Sequence, residues 1–170
     1  AAAELAEWKK AHPDGVEVIK LPAGRHNAGT IKYWNAEYTC IMITGGRKVR
    51  IEGEGKGKTV IKGGFVVDGR EEENALELFG LTIADSKEYG VYIWGKGAVG
   101  KVRQCEIRGS KDHSVVVGSG AKAELEESDI QGNAKYGVEI NNESSASGMR
   151  KCNVWANKSG DKVKFWNGAS

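Results

Sequence analysis

A repeat of 23–24 residues, two alternating apolar stretches inside each repeat, and 24 glycines against 2 prolines in 170 residues predict an all-β solenoid. Four segments superpose: LFGLTIADS from Leu78, VRQCEIRGS from Val102, LEESDIQGN from Leu125 and MRKCNVWAN from Met149, with starts 24, 23 and 24 residues apart. Each is followed by a second short stretch: GVYIWG from Gly90, SVVVGSG from Ser114, GVEINN from Gly137 and KVKFWNG from Lys162. Two strands and their turns per repeat are therefore expected. The glycines have no Gly-X-Y period, which excludes collagen, and glycine inside helices would cost about 1 kcal/mol each relative to alanine.

The first strand of each repeat also fits the leucine-rich pattern LxxLxLxxN, so the second half must decide between two solenoids. A leucine-rich repeat needs an apolar residue two places after the Asn and then helical spacing. That place holds Glu88, Asp112, Lys135 and Ser159, and the next apolar residues run with period two: Val91 and Ile93, Val115 and Val117, Val138 and Ile140, Val163 and Phe165. Period two means strand. Each turn is all β, and the chain reads as a single-stranded parallel β-helix of roughly six to seven coils.

In chain order, residues 1–12 are expected to form a capping helix. Leu5 and Trp8 lie at i and i+3 with Ala2 and Ala11 nearby, and Pro13 and Gly15 stop the pattern. A helix laid over an open solenoid end would cover exposed sheet edges. Residues 16–63 read as early coils and 64–170 as regular coils of the same domain. The last coil ends at WNGAS with no second cap, so its open end is expected to be covered by an unusual loop, by another subunit as in end-to-end pairing of two copies, or by residues missing from this chain.

VRIEGEGKGKTVIKG from Val49 resembles the early coils of pectin methylesterases and related proteins. VEVIKLPAGRHN from Val16 resembles the first strand after their helical cap, and LFGLTIADSKEYGVYI resembles a coil of the wider group. The chain thus resembles the pectin-lyase-like right-handed β-helix superfamily over nearly its whole length. The resemblance implies a right-handed helix and, as one functional class, polysaccharide-active enzymes. Their paired aspartates with an arginine, or clustered acids for Ca²⁺, do not carry over residue by residue.

Stacked rungs sit about 4.8 Å apart, so equivalent positions form columns. The inward columns are Leu78, Val102, Leu125 and Met149; Leu81, Cys105, Ser128 and Cys152; Ile83, Ile107, Ile130 and Val154; and Val91, Val115, Val138 and Val163. Ser86, Ser110, Asn133 and Asn157 form a turn column suited to bonding up the stack. Cys105 and Cys152 are two rungs apart, about 9.6 Å, too far for a disulfide. With Cys40 in a separate coil, all three read as small buried hydrophobes.

Outward columns are where function could sit. Arg103, Glu126 and Arg150 alternate in sign and read as a structural ion-pair ladder. Glu106 and Asp129 are carboxylates one rung apart beside Arg108, candidates for catalysis or, as oxygen ligands, for Ca²⁺. The other strand face carries Asp68, Tyr92, Val116, Glu139 and Lys164 flanked by Trp94, Gly118, Asn141 and Trp166. Aromatics beside acids and amides suit a sugar ring with its hydroxyls, and they also suit a protein partner. Asp68 is the candidate acid on that face.

Other motifs carry less. GEGKGKT from Gly53 is one residue short of a phosphate-binding loop and precedes a strand pattern where a helix is needed. His12, His26 and His113 lack zinc-site spacing. Asn142 and Asn157 begin N-x-S acceptor patterns. A formal charge of +2 does not call for nucleic acid or a membrane surface. The longest aliphatic run is about four residues, too short for a span or a signal core. The chain reads as soluble, and Ala1 in place of methionine fits secretion or processing after targeting, a trimmed chain, or an incomplete register. The favoured reading is a non-catalytic scaffold or recognition module with no resident cofactor, binding a protein or glycan through the Tyr92, Trp94, Glu139, Asn141, Lys164 and Trp166 face. The alternative is a polysaccharide lyase, epimerase or esterase using Asp68, Glu106 or Asp129.

Overall fold

A computed structural model describes residues 15–33, 35–141, 144–146 and 149–165. The first strands are β1 (Val16–Lys20), β2 (Gly24–Asn27), β3 (Thr30–Tyr33), β4 (Ala36–Ile43), β5 (Lys48–Glu52), β6 (Thr59–Lys62) and β7 (Gly64–Asp68). The middle of the chain adds β8 (Asn74–Phe79), β9 (Thr82–Ala84), β10 (Val91–Trp94), β11 (Ala98–Arg103), β12 (Glu106–Arg108) and β13 (Val115–Gly118). The last are β14 (Lys122–Glu126), β15 (Asp129–Gln131), β16 (Tyr136–Ile140), β17 (Ser145–Ala146), β18 (Asn153–Trp155) and β19 (Gly160–Phe165). Among the described residues there is no helix. The capping helix expected over residues 1–12 lies outside them.

The strands stack into three parallel sheets, ordered β1-β5-β8-β11-β14-β17, β2-β6-β9-β12-β15-β18 and β4-β7-β10-β13-β16-β19. The stack is six rungs deep, with five steps from first to last, where six to seven coils were expected. Each turn holds three strands, one more than the repeat suggested. The extra division falls inside each nine-residue segment, at a corner where Gly80, Gln104, Glu127 and Lys151 take left-handed φ of 64°, 50°, 49° and 51°. Three of these four are not glycine, so the sequence carries no turn signal there.

The expected inward columns form the core. Leu78, Val102 and Leu125, then Leu81 and Cys105, then Ile83, Ile107 and Ile130 are buried, while Met149, Cys152 and Val154 of the sixth rung pack against them half-buried. Stacking like on like in this way fills the interior mostly with apolar groups, and some of the few buried polar side chains have a partner built in. Ser128 is such a case: its hydroxyl accepts from the Cys105 amide at 3.2 Å and donates to the Glu126 carbonyl at 2.9 Å. The three cysteines are free, and burial pushes the Cys40 and Cys105 thiols up to about 11.

The turn column also takes its expected form. Asn133 Oδ1 accepts from the Ser110 amide at 2.9 Å, Asn157 Oδ1 accepts from the Asn133 amide at 3.1 Å, and Asn133 Nδ2 donates to Asn157 Oδ1 at 2.8 Å. Asn157 is thus a buried member of a hydrogen-bonded column, which argues against its use as a glycan acceptor. Asn142 lies outside the described residues.

One element has no counterpart in the repeat. β3 pairs antiparallel with β4, with Ile31 opposite Tyr38 and Tyr33 opposite Ala36, so a hairpin edges the third sheet. The turn passes through Asn35 at φ 62°, a conformation asparagine tolerates better than most residues.

Candidate functional site

The outward face of the third sheet carries a hollow of about 200 Å³. Its position follows from strand register. Phe65 pairs with Val91 and Val91 in turn with Val115, all fully buried, so the alternate residues Val66, Tyr92 and Val116 must point outward. Met42 of β4 extends this column on one side and Glu139 on the other. The next outward column holds Asp68, Trp94 and Gly118. Asp68 was expected to pair with Tyr92; the register gives it Trp94, two residues further on, because Val66 occupies the place opposite Tyr92.

Aromatic rings build the walls. Tyr89 stacks on Tyr92 with centroids 4.8 Å apart and planes 24° off parallel, and Tyr92 meets Trp94 at 5.5 Å and 32°. Tyr38, carried out by the hairpin, closes the far side with Met42. Trp94 lies over Gly118: a β-carbon there would fall 2.5 Å from two carbons of the indole. Glycine is required at 118 by the ring above it.

The polar groups are held. Arg70 donates to both oxygens of Asp68, Nε to Oδ1 at 3.0 Å and Nη2 to Oδ2 at 2.7 Å, and its backbone amide reaches Oδ1 at 3.1 Å. Two parallel bonds fix the guanidinium plane at the hollow's edge. Burial raises the Tyr92 phenol well above its usual value, reinforced by Tyr89 and opposed by Arg70. Tyr89 is raised too, first by burial and then by the charges of Asp112 and Glu88, with Glu139 adding to them. Both phenols therefore stay protonated and can donate as well as accept.

Beside the hollow, His113 stacks between Tyr89 at 6.1 Å and Tyr136 at 5.6 Å. Its Nδ1 lies 2.6 Å from Asp112 Oδ1 and its Nε2 2.6 Å from Glu139 Oε2, while Lys135 Nζ sits 2.9 Å from the same Asp112 oxygen. The Nδ1 contact is close but poorly directed for a hydrogen bond. Asn141 brings its Nδ2 to 3.5 Å from Glu139 Oε1, and its buried Oδ1 has no hydrogen-bond partner among the described residues.

The second candidate region is tied up differently. Glu106 accepts from Thr82 at 3.1 Å and Gln131 at 2.9 Å, with Arg108 Nε at 3.7 Å. Asp129 accepts from Asn153 at 2.9 Å and from Lys56 at 2.9 Å. Burial pulls the Asp129 carboxyl upward, but the Asn153 and Lys56 hydrogen bonds and the lysine charge outweigh it, and its pKa ends below the ordinary value. The two carboxylates thus each have their own counter-groups, which removes the need for a shared cation between them. Among the described residues, no group of three or more His, Cys, Asp or Glu side chains is arranged to hold a metal ion.

Lys56 comes from the GEGKGKT segment, whose glycine-rich turn leans on the next rung: Gly55 N donates to Gly80 O at 2.7 Å and Gly57 N to Thr82 Oγ1 at 2.8 Å. The strand β6 follows it, and the lysine serves as a strap across Gly80 and Gln104 to Glu127 O and Asp129. The Arg103, Glu126 and Arg150 ladder is present as expected, at 3.0 and 2.9 Å.

Tyr92, Trp94 and Asp68 are brought together in the hollow. Glu139 and Asn141 lie on the rung beyond Val116 and Gly118, next to His113. Lys164 is placed as the register partner of Glu139, and Trp166 lies outside the described residues. Tyr38, Met42, Arg70 and Tyr89 complete the hollow and were not singled out for it from sequence. Arg70 had a signal in its spacing of two from Asp68. Tyr38 depended on the Asn35 hairpin turn, which the repeat did not reveal.

No curated protein sequence matches the chain. A solved structure, the mannuronan C-5 epimerase AlgE4 A-module of Azotobacter vinelandii, is similar at a TM-score of 0.45 and 18% identity, covering 86% of this chain and 52% of that one. The chain spans about half the length of that module. Residues 27–170 match the family model described as the right-handed beta helix region, and the chain belongs to that family.

Proposed function

We propose that the protein is a recognition module that holds one ring of a glycan in the hollow between Tyr38, Tyr92 and Trp94. The observation that carries this reading is the pairing of aromatic walls, with Tyr89 stacked on Tyr92 and Trp94 tilted against it, with a fixed Asp68–Arg70 fork at one edge. An aromatic face takes the C–H face of a sugar, and a rigid acid and guanidinium take its hydroxyls. At about 200 Å³ the hollow falls below the 300–1,000 Å³ of sites that engulf drug-sized ligands, which suits a single ring of a longer chain. Binding is favoured over turnover because Asp68, Glu106 and Asp129 are each engaged by a fixed cation or amide.

A glycan array followed by titration calorimetry tests the reading. Trp94→Ala and Tyr92→Ala should each weaken a confirmed glycan about tenfold or more while the β-sheet circular dichroism is retained. Unchanged affinity in both variants would remove the hollow as the binding site.

One observation favours a catalytic second reading. His113 is held between Asp112 and Glu139 and stacked between two tyrosines, an arrangement suited to moving a proton at a sugar carbon or oxygen. Incubating array hits with the protein and following new reducing ends, unsaturated products or changed stereochemistry tests it. Product formation that disappears in His113→Gln would establish it over simple binding.

A further inference from the structure

Resting on the glycan reading above, we infer that the hollow selects sugars without carboxylates and discriminates against uronates. The inference comes from where charge sits around the aromatic walls. Arg70 is the one cation among the described residues lining the hollow, and its fork already carries both oxygens of Asp68. The pair sums to zero. A uronate carboxylate could reach the guanidinium only by sharing it with Asp68 at short range or by displacing Asp68, leaving that acid in a site where its side chain is 16% exposed. Like charges crowded in this way repel, and a carboxylate stripped of its partner is unfavourable.

The rim adds to this. Glu88, Asp112 and Glu139 all lie close enough to act on the Tyr89 phenol, each making its ionisation harder. Against these three acids stand Lys135, which is committed to Asp112, and His113, which lies between Asp112 and Glu139. Hydroxyl groups meet no such opposition: Asp68 and the phenols of Tyr89 and Tyr92 offer them acceptors, and the phenols and Arg70 offer donors. An uncharged ring gains the stacking without the repulsion.

The experiment is titration calorimetry of the full chain at low and at physiological salt with three matched pairs of hexasaccharides. These are mannohexaose with hexamannuronate, cellohexaose with hexaglucuronate, and the methyl ester of hexagalacturonate with the free acid. The expected result is binding of at least one uncharged member, with its uronate partner at least about tenfold weaker. That gap should narrow as salt screens charges beyond about 8 Å and should also narrow in Glu139→Gln. A uronate that binds as tightly as its uncharged partner, with binding lost in Trp94→Ala, overturns the selectivity while leaving the glycan reading standing. No binding by any of the six sugars overturns both.

Discussion

At the scale of the residue, the site depends on small groups that the rings need as neighbours. Gly118 lets the Trp94 indole lie flat against the sheet. In Gly118→Ala the new methyl would fall 2.5 Å from the ring, so the indole must tilt away. The expected outcome is a shifted tryptophan emission, weaker glycan binding and a loss of about 1–3 kcal/mol on urea unfolding from overpacking. Retained emission and affinity would show that the ring is not seated on residue 118. The same scale explains what could be read from sequence. Period two identified Tyr92 and Trp94 as outward residues without help from any structure. It misplaced Asp68 by one outward position, because β7 follows a region without repeat landmarks and its register is fixed by Phe65, a core residue whose partner cannot be counted from the sequence.

At the scale of the element, each turn is closed by its column of buried polar groups. Asn133 joins the Ser110 amide to Asn157 and also donates to the Gln131 carbonyl at 3.1 Å. Asn133→Ala should destabilise the protein by about 2–3 kcal/mol, since a buried amide left without an acceptor costs about 1–3 kcal/mol. The Glu126 ladder provides the contrast. Its arginine partners are 58% and 69% exposed, so Glu126→Gln should change stability by no more than about 1 kcal/mol. Urea titrations of both variants check the ordering, and equal costs would contradict it. Both columns were legible because they repeat every 23–24 residues. The third strand of each turn was hidden, since Gln104, Glu127 and Lys151 are left-handed corners held by backbone pairing on either side rather than by glycine. The β3–β4 hairpin was hidden for another reason: it occurs once, and a search for self-similarity passes over it.

At the scale of the molecule, a solenoid is stabilised chiefly between neighbouring turns, and Lys56 is an exception. It bonds Asp129 across 73 residues of chain and ties the second rung to the fifth. Because the Asp129 pKa is lowered on folding, its contribution is present above the ordinary value of 3.8 and is lost as pH falls through the lower folded value. Asp129→Asn should therefore flatten the acid side of a stability profile taken between about pH 2 and 5. Lys56→Met should flatten it in the same direction, and the double variant should add little to either, as urea midpoints across that range would show. An unchanged acid limb in both would rule out the strap as a contributor. The left-handed corners have a consequence of another kind. Since the backbone adopts the same bend whether residue 104, 127 or 151 is Gln, Glu or Lys, a whole turn is a transferable unit of heredity. A tandem duplication of one 23- or 24-residue segment would arrive with its corners already specified and would lengthen the outer face by one rung, about 4.8 Å. The length of that face can then change in whole steps by copying, before any point substitution has refined it.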